Sequence, residues 1–257
     1  MASIVVEDVR IRGNRFYVYM AAACALLAFG AFAPTYWLQL PVGTFIGPPI
    51  LHIHGILFSS WTLLLLWQSW LVATGRIAHH RAWGLAGISL ATAMVVVGLI
   101  ASVGTLSGGL AAGYGDRSRA FLALPFSSIG MFAGFFTAAV FNIRNPETHK
   151  RLILLATIAL LQAAMGRVFF ALIVGVAPGI RPGLGVPPPV SFAIVPSLIL
   201  ELLIIAGAVH DWRTRGRPHR VWVIGAAVIT AVIFLRIPLS VTPAWRAFAD
   251  AMAHVTG

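Results

Sequence analysis

Seven stretches of this chain are each long and apolar enough to cross a lipid bilayer, and short connections join them, so lipid decides what the chain can fold into. They read at about 17–39, 50–73, 83–106, 120–142, 152–176, 190–209 and 221–241, against the ~20 residues a helix needs to cover a hydrocarbon core of roughly 30 Å. In that solvent every backbone N–H and C=O must be satisfied within the chain, which leaves helices or a closed barrel. The length of the runs and their lack of alternation exclude the barrel. Only 10% of the 257 residues are charged and mean hydropathy is +0.91, whereas an ordinary soluble domain is about 25% charged. The expected fold is all-α, a single transmembrane domain over 1–257. It has a leader at 1–16, seven spans, and a short tail helix at 243–254, where Trp245, Phe248 and Met252 recur at helical spacing and would lie along the interface.

The formal net charge of +11 would raise nucleic acid as a partner in a soluble protein. In a membrane protein, Lys and Arg collect in cytoplasmic loops and face anionic headgroups, and we read no nucleic-acid function here. Their distribution sets the orientation. Arg10, Arg12 and Arg15 in the leader, Arg76 and Arg81, Arg144, Lys150 and Arg151, and Arg213, Arg215, Arg217 and Arg220 in alternate connections make twelve; Arg117, Arg119, Arg181 and Arg246 on the other side make four. The twelve belong in the cytoplasm, with the N-terminus, and the C-terminus lies outside. Trp67, Trp70, Trp83, Trp212 and Trp222 then form an inner aromatic belt, and Tyr36, Trp37 and Trp245 an outer one. Although Ala31-Phe32-Ala33 mimics a signal-peptide cleavage site, Pro34 follows it and the leader carries Glu7 and Asp8, so a retained helix is expected. The single cysteine, Cys24, permits no intrachain disulfide and no cysteine metal cage.

Three connections repeat a phrase. Gly75-Arg76 with His80-Arg81, Arg144-Asn145-Pro146 with His149-Lys150-Arg151, and Arg215-Gly216-Arg217-Pro218 with His219-Arg220 each place an Arg, a Gly or Pro turn, then His and a basic residue before a span. The bundle therefore reads as one leading helix plus three helical hairpins turned at the cytoplasmic face. His80, His149 and His219 either converge to hold a metal, a haem or an anion, or start and anchor helices in the headgroup layer.

Three ionisable residues fall inside spans, where charge is costly unless paired or beside a wet cavity: Arg167, Glu201 and Arg236. Arg167 follows His149 by 18 residues and Arg236 follows His219 by 17, which puts both roughly 26 Å above the cytoplasmic turn at 1.5 Å per residue. Glu201 falls near the midplane. His54, Trp61 and Gln68 share one face of the second span, Gln162 lies mid-depth in the fifth, and Ser127 and Ser128 lie in the fourth. An outer-half polar pocket lined by His54, Gln162, Arg167, Glu201 and Arg236 is one reading. The alternative is that the arginines snorkel outward and Glu201 is structural glue.

His52-Ile53-His54-Gly55, Gly75-Arg76 with His80-Arg81, and Asp211-Trp212-Arg213-Thr214-Arg215-Gly216-Arg217 with His219 resemble a family of uncharacterised bacterial polytopic membrane proteins, from about residue 50 to the end. That resemblance implies a bacterial inner-membrane setting and no particular activity. The His149-Lys150-Arg151-Leu152 start of the fifth span is similar to a stretch in small membrane proteins implicated in cytochrome oxidase assembly.

Three function classes follow. The first is a binding protein or enzyme acting on an amphiphile, a lipid or quinone with an acidic or hydrogen-bond-accepting headgroup, in the outer pocket; Arg167 and Arg236 would clamp the headgroup while His54 and Glu201 handle protons. The second is a haem or metal protein of electron transfer or oxidase assembly, although no two histidines sit at mid-helix on facing spans. The third is an accessory subunit of a larger membrane complex, with Ala21-Ala22-Ala23-Cys24-Ala25 suited to close helix approach. A retinal protein is excluded because the only lysine, Lys150, lies in a connection, and no P-loop, dinucleotide fingerprint or zinc-protease motif occurs. The Pro/Gly-rich stretch 177–189 reads as an outer lid or rigid connection.

Overall fold

The computed structural model describes residues 2–177 and 184–254, with side chains from residue 15 onward. Arg181 and part of the expected lid lie outside the described residues. Nine α-helices are described: α1 Ala2–Phe32, α2 Ile50–Ala73, α3 Ile77–Ala111, α4 Gly115–Phe121, α5 Ala123–Phe141, α6 Pro146–Val174, α7 Ile194–Arg215, α8 Arg220–Leu239 and α9 Pro243–His254. Seven segments are long and apolar enough to cross a membrane: Arg15–Trp37, Ile50–Ala73, Ile77–Ala111, Gly115–Phe141, Pro146–Val174, Val190–Arg215 and Arg220–Leu239. The protein is an all-α polytopic membrane bundle. The spans match the seven apolar runs, and helix continues past several of them because polar residues at the ends of a helix need not break it. In the same way α1 runs back through the expected leader.

Turn chemistry explains where the hairpins fold. Gly75 and Gly216 take φ of 75° and 76°, the left-handed region where a Cβ is penalised, and close α2 and α7. Asn145 caps α6 by accepting from the Thr148 N–H at 3.2 Å, with Pro146 at the first helical position. His219 caps α8, its Nδ1 accepting from the Val221 N–H at 3.2 Å. These three connections, all strongly basic, define what we call the basic face; the other end is the opposite face.

Helix α6 is the axis. It packs closely on α1, α5, α7 and α8, while α1, α2, α3, α5, α8 and α7 pack in succession as a ring around it. Sixty-one per cent of its most apolar window is buried, against 17–33% in the other spans. Small residues permit the approach: Ala156 and Ala159 are fully buried. On the neighbouring helices a methyl at Gly225 would run into Leu155, and one at Gly207 into the Trp222 ring. Trp222 is thus 1% exposed, which corrects its placement in the interfacial belt: Gly207 opens a slot for the indole between α7 and α8. Trp67, Trp83 and Trp212 are exposed as expected of a belt.

Two of the ring helices, α2 and α3, stand farther from α6. Large side chains bridge that gap at mid-depth, where Trp61, Met94 and Phe132 cluster on Ala91 and Ala156 and the Trp61 indole donates to Thr157 Oγ1 at 3.0 Å. Towards the opposite face the gap is not filled. The tail helix α9 docks beside it on α3 and α4: Ala249 is fully buried against Leu106 and Leu122, and the Trp245 indole donates to the Arg119 carbonyl at 2.8 Å.

Candidate functional site

The unfilled space between α6 and α2/α3 is a cavity of about 300 Å³, at the small end of ligand pockets. Its floor includes Trp61 and Thr157, its walls Phe32, Phe58, Ile129 and Leu160, and Phe45, Pro187 and Pro188 from the two opposite-face connections also line it. The expected pocket residues His54, Gln162, Arg167 and Arg236 all line it. They come from α2, α6 and α8, so no local segment could build the site.

Glu201 does not line the cavity, a correction to its expected place. Ser197 and Leu200 take the buried face of α7, 1% and 2% exposed, and Glu201, one position further around the helix, turns towards α8, where its Oε1 accepts from Thr230 at 2.7 Å. Depth along a helix follows from residue count, but the direction around it does not.

Arg236 is 3% exposed and all its partners are neutral. Nη1 donates to Gln162 Oε1 at 2.8 Å and to Ser127 Oγ at 3.4 Å, and Nη2 donates to Ser197 Oγ at 3.1 Å. Arg167 lies with its guanidinium 4.4 Å over the Phe32 ring and donates to Thr35 Oγ1 at 3.3 Å. Neither arginine pairs with Glu201 in this arrangement. His54 stacks on Phe58, ring centroids 4.0 Å apart, whereas its neighbour His52 is engaged by the Tyr36 hydroxyl at 3.0 Å.

Several buried polar atoms at this cavity have no hydrogen-bond partner: His54 Nδ1, Ser118 Oγ, Gln162 Nε2 and Arg236 Nε. Buried polar atoms are ordinarily satisfied, and leaving one bare costs about 1–3 kcal/mol. Four such atoms belong to residues that line this one apolar-walled space.

The three repeated histidines do not form a ring. His80 and His149 approach edge to face, ring centroids 6.5 Å apart, and His149 Nδ1 bonds the Ala139 carbonyl at 2.9 Å. His219 is instead occupied as the cap of α8. Among the described residues no three His, Cys, Asp or Glu side chains gather where they could hold a metal ion.

A buried ionic cluster at the basic face was not anticipated from the sequence. Arg151 and Asp211 are 0% and 1% exposed and form a two-pronged pair. Glu147 joins Arg151 at 2.7 Å and also pairs with Arg215, Lys150 lies 4.4 Å over the Tyr17 ring, and Asp211 accepts from the His219 N–H at 3.3 Å. The signal available was the rarity of acids: seven in the chain, two of them beside basic turns.

No family model, curated protein or solved structure matches the chain.

Proposed function

We propose that this protein binds an amphiphilic small molecule of lipid or quinone type within the membrane, in the cavity beside α6. The observation that carries the reading is the coincidence of His54 Nδ1, Ser118 Oγ, Gln162 Nε2 and Arg236 Nε, all buried and unpartnered, on a single apolar-walled space. Apolar walls suit a chain or ring, and a few convergent polar groups suit a headgroup. The cavity is too small for a whole two-chain lipid, so the headgroup and the first part of a chain occupy it. The same reading takes the basic face as cytoplasmic, by the excess of Lys and Arg there, and the bacterial inner membrane as the setting implied by the resemblance.

Protein extracted in a mild detergent, washed, and analysed by mass spectrometry of its organic extract tests this. A lipid or quinone should co-purify at near-stoichiometric amount with the wild type and be depleted in a His54→Phe, Arg236→Met double variant of unchanged helicity. Equal recovery from both proteins would sink the proposal.

A further inference from the structure

The charge balance of the cavity identifies the headgroup more closely, on the premise that the cavity is a binding site. Among its described lining residues is the Arg236 guanidinium, and no Asp or Glu. Arg236 is 3% exposed, and its hydrogen-bond partners are an amide oxygen and two hydroxyls, none of which carries charge. A buried charge without a counter-charge is among the costliest features a protein can hold, and the cost is greater where the surroundings are lipid and apolar side chains. Glu201 accepts from Thr230, Asp250 and Asp116 pair with Arg119 and Arg246, and the ionic cluster of Arg151, Asp211 and Glu147 lies at the other face.

The orphan atoms say what the missing partner is. Arg236 Nε and Gln162 Nε2 can only donate hydrogen bonds; both are buried and lack an acceptor. Gln162 cannot be turned to relieve this, because its Oε1 already accepts from both Arg236 and Ser197. Two donors and an uncompensated cation therefore call for an acceptor that is negative. We infer that the cavity selects a single-chain amphiphile with an oxyanion headgroup, a carboxylate or a phosphate, over a neutral amphiphile of the same chain. The oxyanion accepts from Arg236 Nε and Gln162 Nε2, and the aromatic and aliphatic wall formed by Phe32, Phe58 and Leu160 receives the proximal chain. His54, whose imidazole can donate through Nδ1 or Nε2, is free to supply a further hydrogen bond.

The test uses three probes with one chain: oleate, oleyl phosphate and oleyl alcohol, titrated at pH 8 into full-length protein in a non-ionic detergent. Binding is read by the fluorescence of Trp61, which lines the cavity, with the other tryptophans retained and a Trp61→Phe variant as the spectral blank. At least one of the two anions should bind ten-fold or more tightly than the alcohol, and which one does so distinguishes a carboxylate from a phosphate headgroup. Arg236→Gln should abolish the preference, the anions then binding no more tightly than the alcohol. Arg236→Lys, which keeps the charge and loses the fork, should retain part of it. Equal binding of the anions and the alcohol to the wild type would overturn the selectivity and leave the cavity as a site for a neutral amphiphile. Absence of binding by all three, with decylubiquinone also silent, would overturn the site itself.

Discussion

Arg151 and Asp211 offer a quantitative test of how this bundle is held at the basic face. The two side chains are 0% and 1% exposed, so removing one strands the other in a medium where an unpaired charge costs about 3–5 kcal/mol. The structure makes the two single losses unequal. Without Asp211, Arg151 keeps Glu147 at 2.7 Å; without Arg151, Asp211 keeps the His219 N–H at 3.3 Å and a single cation, Arg215, at 3.9 Å and on an exposed side chain. Arg151→Met is therefore expected at the upper end of that range, about 5 kcal/mol, and Asp211→Leu at the lower end, about 3 kcal/mol. The double variant should recover much of the loss, because an apolar pair of similar volume avoids the desolvation of both ions. Unfolding by SDS titration in mixed micelles, followed by far-ultraviolet circular dichroism, gives the three free energies and their coupling. Additive single losses, or an Asp211→Leu variant weaker than Arg151→Met, would refute the account.

Further expectations follow from other contacts. Gly225→Val should destabilise the bundle by about 1–3 kcal/mol through overpacking against Leu155, visible as a lower midpoint in the same titration; an unchanged midpoint would mean that α6 and α8 are not in contact there. The His219 imidazole is held below its usual pKa of 6.5 by partial burial and then by the Arg151 charge. Its folded pKa lies below the unfolded one, so its contribution is intact above pH 6.5 and is lost as pH falls below it; His219→Asn should flatten that part of the stability–pH curve. Trp245→Ala removes the indole that anchors α9 to the Arg119 carbonyl, and should speed proteolysis of the C-terminal helix while the seven-span core melts as before.

The spans could be read from the sequence because each is a local property, a run of apolar residues long enough for lipid. Hairpin turns were legible for the same reason: Gly75, Gly216 and Asn145-Pro146 act on their own backbone. What could not be read was azimuth. His54, Gln162, Arg167 and Arg236 were placed by depth and the structure gathers them at one cavity, but Glu201, at an equally plausible depth, turns to Thr230. Trp222 illustrates the same limit, since a tryptophan near a basic turn reads as an interfacial anchor until the slot at Gly207 is known. Arg151 was counted among loop cations because nothing local distinguishes an arginine that meets an acid 60 residues away from one that meets a headgroup.

The central place of α6 also governs the order in which the molecule can become competent. The ring around it closes only with α7 and α8, and Arg236 arrives on α8, the last of the seven spans. During synthesis α1 to α6 can assemble the walls and floor around His54, Trp61, Gln162 and Arg167, yet that partial bundle lacks the Arg236 guanidinium. The cavity gains its full set of polar groups only when the final span has left the translocon, so a chain stalled or clipped before α8 would lack the Arg236 donors there.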